Sequence, residues 1–467
     1  MISVLLAIFF LQFTDKGGSD CVALSPTAIV MREERGIAID SLDYAVSEVY
    51  LDSIRALGGK VLHTSRWLNG ATVEGKSGAK AKWLACSFVD TIYQTRTDKL
   101  PTFPMVSPRH KQEVKWTDSI AYGETKSQLE VMNLLRLHEA GYHGQGIRIG
   151  IADGGFANAD SLGGLAAVRG QWLGYADLTD DKTDIFDAEH THGTMCLSTI
   201  VGKQEDYWGA ATAAEYYLFR TEEQETESLK EIDNWVAAVE MADSMGLHIV
   251  STSLGYRLFD DEKMDFEYAE MDGYHSRGAQ AAVIAARKGM LLVVAMGNDG
   301  TNEWHYLSTP ADADSIVSVG AVSGNGSIAS FSSYGPSSDG RVKPEVCAQG
   351  VHVAVLNPND SKVVHSDGTS FACPLIAGMA ACLWSAMPEA TNMQIREYII
   401  RSANRWDSPN DRHGYGIPDV WKAYTNANTG VENTTSLEGA CGKIMKNGEL
   451  YIIRQGSRYN LLGHKIE

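Results

Sequence analysis

Four short apolar runs constrain this chain more than any other feature: Ile147–Asp153, His248–Ser253, Leu291–Ala295 and Ile316–Val322. Each is rich in Ile, Val and Leu and lacks the alternation of a half-buried strand. A strand of that kind is covered on both faces, as in a parallel sheet with helices on each side. Residues 126–425 are therefore predicted to form one α/β unit built on a mainly parallel sheet.

The front of the chain reads differently. Helical spacing over Asp43–Leu57 places Val46, Val49, Tyr50, Ile54 and Leu57 on one stripe, stopped by Gly58-Gly59. Lys60–Ser65 and Ala71–Glu74 read as strands around Asn69-Gly70, Ala79–Cys86 as a short helix, and Val89–Thr95 as a further strand. Residues 13–100 thus form a compact α+β domain. Pro101, Pro104 and Pro108 mark a linker over 101–125. Residues 1–12 read either as a signal segment or as a first strand. The run Val4–Leu11 is too short to span a bilayer, and no Lys or Arg precedes it. Residues 426–467 read as a linker followed by a short β tail.

Charge separates the two main parts. Residues 1–120 hold 14 basic and 13 acidic side chains, whereas residues 121–467 hold 26 basic and 46 acidic. A near-neutral front domain beside an acidic body reads either as a docking pair or as ordinary drift of surface composition. The overall net charge of −19 excludes a fold-wide basic surface for nucleic acid. Seven cysteines in so long a chain make no dense disulfide framework, and Cys196 and Cys382 lie in apolar sequence as small buried side chains do.

Reactive residues fall at the edges of the elements. Ile147–Asp153 ends in a carboxylate before Gly154-Gly155, where an Asp serves equally as a strand terminator. His190-Thr191-His192-Gly193-Thr194 precedes an apolar helix. Two histidines raise a metal alternative, but neither H-E-x-x-H nor C-x-x-C accompanies them. Ala295-Met296-Gly297-Asn298 ends another strand in an amide, suited to a turn or to an oxyanion. Gly368-Thr369-Ser370-Phe371-Ala372-Cys373-Pro374 opens a long apolar helix, with Ser370 in the positive end of its dipole. Pro374 is read as a first-turn proline, where a missing N–H costs little.

Together these segments resemble the subtilisin-like serine proteases, the subtilase family. The order Asp, His, Asn, Ser matches, as do H-G-T-x-C and G-T-S-x-x-x-P; Gly154 departs from the family's D-[ST]-G. Ser253-Leu254-Gly255, Ser308-Thr309-Pro310-Ala311 and Gly414-Tyr415-Gly416 are similar to further family segments. The resemblance implies a subtilisin-like three-layer fold. It implies a serine endopeptidase acting through an acyl-enzyme, with Asp153, His192 and Ser370 as triad, Asn298 in the oxyanion hole, and Ser253, Leu254 and Gly255 lining the substrate cleft. His192 rather than His190 is implied as the base. No cofactor is required and no metal is expected at the site; the resemblance leaves room for structural calcium, common in the family, without assigning its ligands to residues here. The alternatives are an inactive binding protein on the same fold and a serine esterase.

The front domain resembles the family's propeptide, an inhibitor-like domain of ferredoxin-like topology, so the chain is expected to be a self-inhibited precursor cut within Thr97–Gly123. The tail resembles a short bacterial sorting domain. These features point to a secreted or cell-surface monomer that acts on protein or peptide substrates, with no nucleic-acid partner and no stable membrane insertion. An acidic stretch, Asp260–Asp272, follows the cleft segment and reads as a solvated insertion or as a rim favouring basic substrates.

Overall fold

A computed structural model describes residues 6–97, 122–179, 184–187, 190–224, 226–429, 442–446, 449–454 and 457–459. The front domain is built from β1 (Leu6–Phe13), α1 (Pro26–Glu34), α2 (Glu48–Ala56), β2 (Lys60–Ser65), β3 (Gly70–Lys76) and β4 (Val89–Thr97). Its sheet runs β2-β3-β1-β4 and is antiparallel. This is the ferredoxin-like order. The first run is thus an inner strand: β1 pairs with both β3 and β4, so a domain boundary at 12/13 would cut it. Phe9, Leu11 and Phe13 pack with Leu51, Ile54 and Trp83 in the domain's own core. The helix predicted over Asp43–Leu57 begins only at Glu48, because Asp43 closes a separate one-turn helix as part of a capping box with Asp40. Val49 is consequently exposed, not on the buried stripe. Most of the proposed linker, residues 98–121, lies outside the described residues.

The body is built on β5 (Arg148–Asp153), β6 (Trp172–Asp177), α3 (His192–Val201), β7 (Glu215–Arg220), α4 (Leu229–Met245), β8 (Ile249–Thr252), α5 (Arg277–Arg287), β9 (Leu291–Ala295), β10 (Val317–Val322), β11 (Val346–Gln349) and α6 (Thr369–Ala386). The sheet order is β11-β10-β9-β8-β5-β7-β6, and every pairing is parallel. Ile149, Ile151 and Val293 pack against α3 and α6 on one face. Ala152, Val250 and Val294 pack against α4 and α5 on the other. These are the three layers. The chain builds first on one side of β5 and then, from β8 onward, on the other. Such a reversal opens a crevice at the carboxyl ends of the central strands, where open α/β sheets bind their ligands. α6 is apolar enough to cross a membrane by composition, yet it is buried in this core.

The front domain docks on α4 and α5. Trp67 is buried among Ile232, Val236 and the α5 alanines. Arg277 pairs with Asp233 at 2.7 Å and lies 4.9 Å from the Phe10 ring centre. The Glu240 carboxylate accepts from the Ser65 hydroxyl (2.5 Å), the Arg66 N–H (2.9 Å) and the Trp67 N–H (3.3 Å). Asp243 pairs with Arg66 and Arg32, and Lys288 with Asp40 and Asp43. Opposite charges are thus matched one by one across a buried contact. The segment Thr425–Glu467 is a separate unit, in which Gly442–Lys446, Glu449–Arg454 and Ser457–Tyr459 form an antiparallel sheet.

Candidate active site

Asp153 ends β5, Ser253 follows β8, and Asn298 lies three residues beyond β9, so all three stand at the carboxyl edge beside the reversal. His192 is the first residue of α3 and Ser370 the second of α6. α3 can approach β5 because residue 193 is glycine: a Cβ there would lie 2.3 Å from the Gly155 carbonyl oxygen and 2.9 Å from the Asp153 Cβ. Gly368 holds φ at 153°, a conformation that side-chain-bearing residues seldom adopt, and it turns the chain sharply into α6.

Asp153 is 1% exposed, and its Oδ1 accepts from His192 Nδ1 at 2.8 Å and from the Gly154 N–H at 2.8 Å. Its Oδ2 is buried with no hydrogen-bond partner among the described groups. Gly154, where the family carries Ser or Thr, has no hydroxyl to offer. His190 is not joined to Asp153; its backbone carbonyl accepts from Ala157, and its ring lies beside Gly155.

Ser370 is placed by a proline. Pro374 is the sixth residue of α6, inside the helix rather than in its first turn. It has no N–H to give to the carbonyl four residues back, which is that of Ser370. That carbonyl accepts instead from Ser253 Oγ at 2.8 Å and from the Cys196 thiol at 3.3 Å. The start of α6 is thereby tied to the end of β8 and to α3. The Cys196 Sγ also lies 3.9 Å from both ring nitrogens of His192, so it links His192 to Ser370. Burial raises its thiol pKa, so it remains a neutral packing group. The Ser370 hydroxyl donates to the Ser253 carbonyl at 3.4 Å. No hydrogen bond joins that hydroxyl to His192 among the described residues, and such bonds commonly tighten only when substrate binds.

Asn298 Oδ1 accepts from the Thr369 N–H and hydroxyl, both at 3.0 Å. With the oxygen so committed, the amide NH2 is the group left to donate. Leu254 is half-buried and Gly255 exposed. Asp153, His192 and Cys196 are the one group of three metal-capable side chains found among the described residues, with ligand atoms within 4.8 Å of one another. His190 is not part of it.

The Asp153 carboxylate holds the His192 pKa well above its ordinary 6.5, outweighing desolvation. A base must be neutral to accept a proton. The acid limb of kcat/KM is therefore expected to have its midpoint above pH 6.5, since that profile reports the free enzyme. The His192–Asp153 ion pair stabilises the fold below the unfolded histidine pKa, and that contribution is lost as pH rises through the raised folded value. Activity thus appears as the pair's contribution to stability fades. Asp153→Asn is expected to lower the rate by about 10⁴-fold and to move the acid limb to lower pH, read from kcat/KM profiles.

An Asp–His pair at the carboxyl edge of a parallel sheet, beside a serine at a helix start, is the constellation of a serine hydrolase. Residues 144–417 match the Subtilase family, and residues 9–127 match the Peptidase S8 propeptide domain of Bacteroidota. The chain belongs to the subtilase family: it is a subtilisin-like serine endopeptidase that carries its propeptide. The chain is 28% identical over 333 residues to the thermostable alkaline protease of Halalkalibacterium halodurans, covering 70% of this chain and 79% of that protein. It is 28% identical over 285 residues to subtilisin BL of Lederbergia lenta, covering 60% and 91%. MycP1 from Mycobacterium smegmatis shares the fold, with a TM-score of 0.51 and 19% identity over 68% of this chain and 89% of that one.

Sequence reasoning missed the grip of Glu240 on the front domain and the role of Pro374. The second was open to it, because a proline four residues after the nucleophile frees that residue's carbonyl wherever the helix starts before it.

Proposed function

We propose that Ser370 Oγ attacks the scissile carbonyl while His192 Nε2 takes its proton. His192 then returns the proton to the leaving amine, and water releases the acyl group by the same route in reverse. Asp153 fixes the imidazole tautomer through Nδ1 and stabilises the imidazolium. The Asn298 amide and the Ser370 N–H bind the oxyanion at the positive end of α6. The observation that carries this reading is the 2.8 Å bond between His192 and Asp153, with Ser370 tied to the same histidine through Cys196. Nucleophile, base and oxyanion donors are all groups of the chain itself, so the chemistry calls for no cofactor.

Asn298→Leu tests the oxyanion assignment. It is expected to lower kcat by about 100–1,000-fold with little change in KM, because the donor acts on charge that develops only in the transition state. An unchanged kcat would remove Asn298 from the site.

In this reading the precursor cuts itself between the two domains and the enzyme works outside the cytoplasm on protein substrates. The front domain's fit against α4 and α5 supports the first part, and the tail's resemblance to sorting domains supports the second. N-terminal sequencing of the active species from medium, surface and cytosolic fractions tests both; an active, full-length cytosolic chain would contradict them.

A further inference from the structure

The front domain reaches the body at a second point, away from the Glu240 contact. Arg96, next to last in β4, extends its guanidinium to Glu223, with Nη1 2.9 Å from Oε2. Both side chains are nearly buried. Glu223 stands on the segment between β7 and α4, and this segment is coupled to the catalytic centre. The Thr221 N–H donates to the Asp153 carbonyl at 3.1 Å. Glu222 flanks Gly154, its Cβ only 3.6 Å from where a Cβ on that glycine would stand. Glu222 also accepts from Tyr256, the residue after the cleft segment, at 2.7 Å. Arg96 therefore pairs with the body two residues along the chain from a direct contact with Asp153.

The pocket around Arg96 is acidic. Glu227, Asp260, Asp261 and Met264 line it. Asp260 is fixed there by accepting from the Glu227 N–H at 3.2 Å. Glu223 is also bonded to Lys230, which is fully buried on α4 and belongs to the body. When the front domain leaves, Lys230 stays and Arg96 goes. The pocket then keeps its carboxylates and loses the cation the front domain brought.

Chain direction fixes which side of the cut this pocket serves. Arg96 precedes the joint in which the precursor is cut, so it lies on the acyl side of that bond. An arginine on the acyl side of that bond, paired with a carboxylate two residues from the Asp153 contact, is chemically a basic side chain seated in an acidic pocket of the body. We propose that the Arg96 pocket is the mature enzyme's acyl-side specificity pocket, in which Glu223 selects an arginine or lysine upstream of the scissile bond. This rests on the catalytic reading above and names the substrate class of that same site. It also assigns the acidic segment that begins at Asp260 a part in that selection through its first two residues.

The test is cleavage of a peptide library by the processed enzyme, with Arg, Lys, Gln and Leu exchanged at each acyl-side position. A preference of about tenfold or more in kcat/KM for Arg or Lys over Gln is expected at one of them, the scale of a charge-assisted hydrogen bond. In Glu223→Gln the ratio of Arg to Gln peptides is expected to fall toward one. Because Glu223 is buried against Lys230, the rim variant Asp260→Asn is the second arm, and a smaller fall in the same ratio is expected. A wild-type profile indifferent to basic side chains would overturn the proposal, leaving Arg96–Glu223 as a docking contact alone. So would a preference that survives unchanged in both variants. A wild-type preparation that cleaves no peptide and takes no serine-directed label would overturn the catalytic reading, and the pocket's role with it.

Discussion

Ser370→Ala is expected to lower kcat for peptide hydrolysis by about six powers of ten, the scale for loss of the nucleophile in an enzyme of this family. The chain is expected to accumulate as full-length precursor. The loss should be chemical and not a failure to fold. Alanine is the best helix former, residue 370 is the second of α6, and among the described residues the hydroxyl makes one long contact, at 3.4 Å. The groups that anchor this end of the helix, Ser253 and Cys196, bind the residue's carbonyl, which the substitution leaves in place. Some rate above that of water, about 10³–10⁴-fold, should persist from the oxyanion donors and from binding. Gel analysis of the expressed chain and a thermal melt separate the two effects. A precursor that matures at the wild-type rate would remove Ser370 from the mechanism.

Glu240→Ala is expected to have the largest effect on the front domain's hold. The substitution strips acceptors from the Ser65 hydroxyl and from two backbone N–H groups, and leaves Arg66 with Asp243. Removing one partner from a buried charged network costs about 3–5 kcal/mol, which corresponds to roughly 150- to 5,000-fold weaker retention of the cleaved domain. Arg66→Ala removes the opposite partner and should weaken retention on a similar scale. The double variant should then cost less than the two changes summed, since they remove one shared interaction. Glu240 lies on α4, away from Asp153, His192 and Ser370, so the change is read as earlier release of activity during maturation. Equal retention in both single variants would mean that Trp67 and the apolar sheet face hold the domain without the charges.

The four apolar runs were readable as strands because neighbours cover both of their faces. β7 was not readable in the same way. Its sequence, Glu-Tyr-Tyr-Leu-Phe-Arg, carries charges at both ends and aromatic rings between them, although Tyr216 and Leu218 face one layer and Phe219 the other. Edge strand β6 and the four-residue β11 were also too weakly patterned. β1 was ambiguous for the opposite reason. Phe9 and Leu11 fill the front domain while Phe10 faces Arg277 of the body, so the run is apolar throughout and imitates a signal core. The order of Asp153, His192, Asn298 and Ser370 was legible because each sits within two residues of a glycine in a short motif. The contacts that join them were not. Cys196 reaches Ser370 across 174 positions, and Glu240 reaches Arg66 across 174. Pairings over such separations are set by topology, and no local pattern encodes them.

The most direct test of the account is labelling with a fluorophosphonate, which phosphonylates an activated serine, followed by mass-spectrometric mapping of the adduct. The account requires one adduct, on Ser370, formed by the processed chain, absent in Ser370→Ala and strongly slowed in His192→Ala but not in His190→Ala. An adduct on another serine, or labelling that persists in Ser370→Ala, would contradict it.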